Sequence, residues 1–121
     1  TYAPLLKREH ELLDWSWEGA KIHNRIRGLN PWPGAFTFFR NEQVKIWKSK
    51  RLEIEEAPPL LEDTNPGQIM ALSERGLVVR TIDGVLEILE VQPAGKKRMS
   101  GRDFFNGRRG NLGESFQSKE E

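Results

Sequence analysis

The sequence predicts a mainly β domain: a small OB-like (oligonucleotide/oligosaccharide-binding) barrel with two short peripheral helices. Three observations carry that expectation. About five short runs between residues 35 and 91 are rich in β-branched and aromatic side chains, and compact turn signals separate them. No segment sustains a long helical period. The 121 residues, 36% of them apolar, suit one domain with one core, although the mean hydropathy of −0.66 marks it as a polar one.

Residues 1–15 read as an interdomain linker, because Pro4-Leu5-Leu6 is followed by the charged stretch Lys7 to Glu11 with no period of either kind. The domain proper is expected over 16–117, and a disordered tail over 118–121. Ser16 offers a hydroxyl cap to a first helix, with Glu18 in its first turn, Ile22 and Ile26 on one face, and Gly28 as the stop. Gly19 weakens that helix by about 1 kcal/mol relative to Ala, so tertiary packing must hold it.

The prolines of Asn30-Pro31-Trp32-Pro33-Gly34 then interrupt regular hydrogen bonding. Ala35 to Phe39 forms a strand, and Arg40-Asn41-Glu42 a tight connection to Gln43 through Ile54. Val44, Ile46, Leu52 and Ile54 fall on even positions, yet Lys48 and Lys50 share that parity; a bend or bulge between Trp47 and Leu52 is therefore expected. A Pro-rich acidic loop runs from Ala57 to Gly67. Gln68–Leu72, Leu77–Thr81 and Val85–Val91 form a meander, joined by Ser73-Glu74-Arg75-Gly76 and Asp83-Gly84. Gln92-Pro93-Ala94-Gly95 ends it. The second helix begins at Ser100, whose S-x-x-D spacing to Asp103 resembles a capping box, buries Phe104 and Phe105, and stops at Gly107.

Charge is segregated along the chain. Residues 40–51 hold Arg40, Lys45, Lys48, Lys50 and Arg51 against Glu42, and residues 96–109 hold Lys96, Lys97, Arg98, Arg102, Arg108 and Arg109 against Asp103. Residues 53–63 carry five acids and no cation, so the formal charge of +1 conceals strong patches. Patches of this kind attract phosphate, whereas the total charge does not report on them. Gly107-Arg108-Arg109-Gly110 has the G-x-x-G form that clamps nucleic-acid backbone in KH domains, but the residues after it cannot build the helix such a fold needs. Trp47 alone among the aromatic residues lies between lysines, where it serves either packing or base stacking.

Enzymatic chemistry finds little support. The two histidines, His10 and His23, lie thirteen positions apart without a metal-binding pattern, the serines lack a nucleophile setting, and the acidic loop is too solvated to tune an acid–base pair. Neither a metal site nor a catalytic residue is expected in this chain. There are no cysteines and no apolar run approaching the roughly 18 residues of a membrane span, nor a charged-then-apolar leader. A soluble, cytoplasmic protein with no membrane partner is the expectation.

Ile22-His23-Asn24-Arg25-Ile26-Arg27-Gly28-Leu29-Asn30-Pro31-Trp32-Pro33-Gly34-Ala35 resembles a segment of the methionyl-tRNA formyltransferases. Val44 to Lys48, Pro66-Gly67, Asp83-Gly84, Leu89 to Ser100 and Asp103 to Gly107 are similar to further motifs of that family. The resemblance implies a carboxy-terminal OB-like domain that follows an amino-terminal Rossmann-like domain. It implies a parent enzyme that formylates the methionyl group of initiator tRNA from 10-formyltetrahydrofolate. The catalytic Asn, His and Asp belong to the other domain, so this chain alone is expected to be inactive and to bind no cofactor.

The tRNA-binding residues expected here are Lys45, Lys48, Lys50, Arg51, Lys96, Lys97, Arg98, Arg108 and Arg109, with Arg25 and Arg27 as weaker candidates. His23, Asn30, Pro31, Trp32 and Pro33 are expected at the interface with the absent domain. The alternative is a structural scaffold domain of a related formyltransferase, or of a formyltetrahydrofolate hydrolase or dehydrogenase, acting on another substrate.

Overall fold

The computed structural model describes residues 11–118, so Thr1 to His10, most of the expected linker, lie outside the described residues, as do 119–121 of the expected tail. Helix α1 (Gly19–Gly28) precedes strands β1 (Ala35–Phe39), β2 (Glu42–Leu52), β3 (Ile69–Leu72), β4 (Leu77–Thr81) and β5 (Gly84–Pro93). A two-residue strand β6 (Met99–Ser100), helix α2 (Gly101–Gly107) and a two-residue strand β7 (Phe116–Gln117) complete the chain, and a single 3₁₀ turn, Ile54–Glu56, follows β2. The expected runs all form strands; β6 and β7 are additions.

Every strand pairing is antiparallel, in the order β3-β4-β5-β2-β1-β7, with β6 beside β5. The two ends of that order meet. Gln68 bridges Ser115, the Phe116 N–H donates to the Gly67 carbonyl at 2.9 Å, and the Ile69 N–H donates to the Glu114 carbonyl at 2.8 Å. The sheet thus curls into a small OB-like barrel, and the two short strands supply the edge that lets it do so.

The barrel interior is filled by inward positions of each strand: Phe39, Val44, Ile46, Leu77, Leu86, Ile88 and Val91 are all fully buried. Helix α1 adds Ile22 and Ile26, and α2 adds Phe104 against Phe39 with ring centroids 5.3 Å apart. Leu13 and Trp15, from the end of the segment read as linker, also belong to this core. The Trp15 indole donates to Thr37 Oγ1, which in turn donates to the Gln117 carbonyl, so one buried chain of hydrogen bonds ties that segment to β1 and β7. A second cluster of Met70, Ala71, Val78 and Val85 lies under Leu52 and Leu60, where the acidic loop covers the outer side of β3–β5.

The cap of α1 departs from expectation. Ser16 folds back on Asp14 instead, with both its N–H and its hydroxyl on Oδ1, and the helix starts three residues later at Gly19. Asp83, in the β4–β5 turn, accepts the Gly19 N–H at 3.0 Å and so caps the helix from 64 residues away. Gly19 suits that closeness, since a Cβ would stand 3.3 Å from both Asp83 Oδ1 and Thr81 Oγ1 and crowd the capping side chains. A distant aspartate leaves no trace in local sequence. Ser100, by contrast, caps α2 as its spacing predicts, accepting from the Asp103 N–H at 3.0 Å.

Two forked ion pairs fasten the β1–β2 end of the barrel. Arg108 meets both carboxylate oxygens of Glu42 at 2.8 Å, and Arg40 meets both of Glu114 at 2.8 and 2.7 Å. The hydrogen bonds from these guanidinium groups hold Glu42 and Glu114 below the usual carboxylate range. A depressed folded value contributes stability that is complete above the ordinary carboxylate pKa and is lost as pH falls through the folded one. Melting temperature should therefore drop as pH falls below about 5. In Glu42→Gln/Glu114→Gln it should be lower at neutral pH and flatter toward acid, which thermal denaturation across pH would reveal.

Candidate nucleic-acid interface

Strand β2 carries three of the expected contact residues on the barrel's outer side. Ile46 opposes Val91 and points inward; Ser49 opposes Ile88 and also points inward. Two residues, Trp47 and Lys48, stand between them where regular alternation has room for one outward position, and the register shifts on both sides of Lys48. The expected bend or bulge is therefore centred here, and β5 answers it with two residues of its own, Leu89 and Glu90, between Val91 and Ile88. The displaced Trp47 carbonyl receives the Asn30 side-chain amide at 2.7 Å.

Trp47 is the centre of the outer face. Only 5% of it is exposed, because Arg98 stacks over the ring at 4.0 Å, Lys45 lies 5.5 Å from its centroid, and its indole N–H donates to Gln92 Oε1 at 2.9 Å. Gly34 packs beneath it, with φ of +93°, and a Cβ there would fall 2.7 Å from Trp47 Cη2. Stacking on a base is thus closed to Trp47 in this arrangement. It acts as the platform that positions cations.

The Ala94–Arg98 turn between β5 and β6 brings Lys96, Lys97 and Arg98 beside this platform, all exposed. The Gln92 amide fixes the turn by donating to the Lys96 carbonyl at 2.9 Å, and a cleft of about 150 Å³ lies between Gln43, Lys45, Gln92 and Pro93–Gly95. Lys45, Lys48, Lys50 and the 96–98 turn therefore share one side of the sheet. Glutamates interleave with them: Glu90 opposes Lys48 and lies 3.4 Å from Arg98, and Glu87 opposes Lys50. Lys45 and Arg98 thus gather at Trp47 with the Lys96 backbone held by Gln92, while Glu90 and Glu87 face Lys48 and Lys50.

Three expected contacts lie elsewhere. Arg51 opposes the core residue Leu86 and sits at the α1 end, near His23 and Asp83. Arg108 is bound to Glu42 and stacked 4.5 Å over Phe104, so its charge is committed to the fold. Arg109 stays exposed beside it, in a turn that closes when the Gly110 N–H donates to the Phe105 carbonyl. Among the described residues no helix follows the G-x-x-G run, which is the end of α2.

His23 and Ser49, unlinked by any sequence motif, meet at 2.7 Å between Nδ1 and Oγ. A nucleophilic dyad needs a base that welcomes a proton. Here burial, then Arg27 and Arg51, pull the His23 pKa down, and no carboxylate orients the ring. The pair is a polar contact between α1 and β2. Beyond it the Asn30–Pro33 loop, with cis bonds before both prolines, leaves Trp32 75% exposed, while Phe36 is buried.

This geometry has counterparts among known proteins. The model of the family described as formyl transferase, C-terminal domain, matches residues 5–109. The chain belongs to that family. A methionyl-tRNA formyltransferase of Bacillus subtilis is 49% identical over 108 residues, covering 88% of this chain and 32% of that protein. Its counterpart in Bacillus licheniformis is 45% identical over the same coverage. The chain thus spans about a third of the length of these relatives. HypX of Aquifex aeolicus, solved with tetrahydrofolic acid, superposes with a TM-score of 0.69 at 18% identity over 89% of this chain and 18% of that one, which shows a common fold.

Among the described residues of this formyl transferase C-terminal domain, no helix is long and apolar enough to cross a membrane. Sequence reasoning identified the cations of the outer face but missed Gln92, which orders their turn, and Glu90, which partly neutralises them. Gly34→Ala tests the platform: the clash with Trp47 and the positive φ should destabilise the domain by about 1–3 kcal/mol, measured by urea denaturation.

Proposed function

We propose that this domain holds the sugar-phosphate backbone of a tRNA against the Lys45–Trp47–Arg98 face and leaves formyl transfer to another domain of a longer enzyme. In this reading the whole protein carries formyl from 10-formyltetrahydrofolate to the methionyl amino group of initiator tRNA, in the cytoplasm. The observation that carries it is the platform itself: Trp47 is buried under two cations, beside a turn that adds Lys96 and Lys97. Phosphate contacts need such a fixed, sequence-blind array of positive charge, and base reading needs exposed rings or grooved donors that this face lacks. The names of the B. subtilis and B. licheniformis relatives supply the substrate class.

A second reading has its own observation. An indole 75% exposed at Trp32, on a loop bounded by prolines, suits packing against a neighbouring domain, with Asn30, Pro31 and Pro33 shaping the approach and His23 behind them. The two readings are compatible on different surfaces. They part only if the basic face contributes nothing, in which case the domain is a scaffold.

Salt titration and charge reversal separate them. With about four phosphates neutralised, log affinity for tRNA against log salt should slope at roughly −3 to −4. Lys96→Glu/Lys97→Glu should weaken binding several-fold at unchanged melting temperature. Arg108→Ala should do the reverse, lowering stability with little change in tRNA affinity. A flat salt plot with full affinity in the reversal variant would leave the scaffold reading.

A further inference from the structure

The groove between α1 and β2 concentrates donors that the outer face does not account for. His23 and Arg27 of α1, Asn30 beyond it, and Trp47 to Ser49 of the bulge enclose about 500 Å³. Asn30 is occupied by the Trp47 carbonyl and Ser49 by His23 Nδ1, while among the described residues His23 Nε2 has no hydrogen-bond partner. The charge here has one sign. Arg27 comes from α1 and Arg51 from the end of β2, and both act on the imidazole; Lys48, at the break in β2, lines the groove where it meets the outer face. Of the acids on adjoining elements, Asp83 lies within reach of Arg51 but is engaged by the Gly19 N–H and the Thr81 hydroxyl, and Glu87 and Glu90 of β5 stand opposite Lys50 and Lys48.

Resting on the tRNA-binding reading, we propose that this groove is a phosphate subsite for the RNA backbone, where Arg27 and His23 Nε2 hold one phosphate and His23 gains a proton as it enters. Burial and then two neighbouring cations, Arg27 and Arg51, pull the imidazole pKa below its ordinary value and so favour the neutral ring. An anion within about 4–6 Å reverses that balance. Ser49 makes the change inexpensive, because its hydroxyl donates to Nδ1 of the neutral ring and accepts from Nδ1–H of the charged one without moving. By linkage, a phosphate that favours imidazolium binds more tightly as pH falls through the range of the bound ring. Strand β2 would then grip RNA from both sides of its bulge.

The test follows the His23 ring by NMR in the 121-residue chain, with His10, the other histidine of the sequence, as internal reference. One arm adds an initiator tRNA transcript; the other adds sulfate, a tetrahedral dianion whose charge is constant over the titration. Saturating tRNA should move the His23 titration upward, and tRNA affinity should rise about threefold or more from about pH 7.5 to about pH 5.5. His23→Gln should lose most of that pH dependence and keep the steep salt dependence. Arg27→Gln should abolish the ring's response. If tRNA binds with its salt slope and leaves the His23 titration unmoved, the subsite is refuted and the outer-face reading survives. A response to sulfate alone would make this a small-anion site and overturn the RNA assignment. If tRNA does not bind at any pH, both fall together.

Discussion

The bulge in β2 is the constraint on which the rest of this structure depends. A strand that alternates strictly cannot present Ile46 and Ser49 to the interior while also placing two consecutive residues outside; β2 breaks step at Trp47–Lys48 and β5 breaks step with it at Leu89–Glu90, so pairing resumes in the same register. Curvature follows, and a sheet that bends here can return its β7 edge to the start of β3. The same break leaves Trp47 without a partner in the β2–β5 ladder. Buried carbonyls need partners, and Asn30 supplies one, which anchors the Asn30–Gly34 loop beside the strand and brings Gly34 under the Trp47 ring. One break in alternation therefore couples the barrel's shape, the loop before β1 and the placement of the cations.

Much of this was legible in the sequence because it is local. The parity conflict between Val44–Ile46 and Lys48–Lys50 announced the bulge, and Arg40-Asn41 announced the turn in which both residues adopt positive φ. Ser100 announced its own helix. What escaped notice depends on contacts between distant segments: the cap that Asp83 gives α1, the His23–Ser49 pair, and the closure through β6 and β7, strands of two residues that have no period to read. Ser16 is the instructive error. Its hydroxyl donates to Asp14 Oδ1 at 2.6 Å in a local turn, the helix begins only at Gly19, and the acceptor that a cap supplies comes from Asp83 instead.

Counting charges along a chain gives the raw material of an interface without saying which charges are free to act. Arg40 and Arg108 contribute to the cationic runs as much as Lys96 and Lys97 do, yet each is bound by both oxygens of a carboxylate and holds the barrel's end together. Those forks also explain where the acids of a near-neutral chain have gone. Glu42 and Glu114 neutralise structural arginines at one end, and the acids of residues 53–63 sit with the loop over the β3–β5 side. Around Lys45 and the 96–98 turn, Glu90 pairs with Arg98, and Glu42 feels Lys96 while its oxygens stay on Arg108. A patch forms by subtraction as well as by accumulation.

Trp47 shows why a buried aromatic residue can serve a polar surface better than an exposed one. An exposed indole among lysines would compete for bases and commit the surface to single-stranded segments. With its face under Arg98 and its N–H on Gln92, the ring contributes no sequence preference and instead restricts the freedom of a long, flexible guanidinium. Arginine and lysine side chains lose about 1.5–2 kcal/mol of rotamer entropy when fixed. A platform that fixes one in advance lowers the cost of ordering it against a phosphate, so the strength of this face depends on the rigidity of the bulged strand beneath it as much as on the number of its charges.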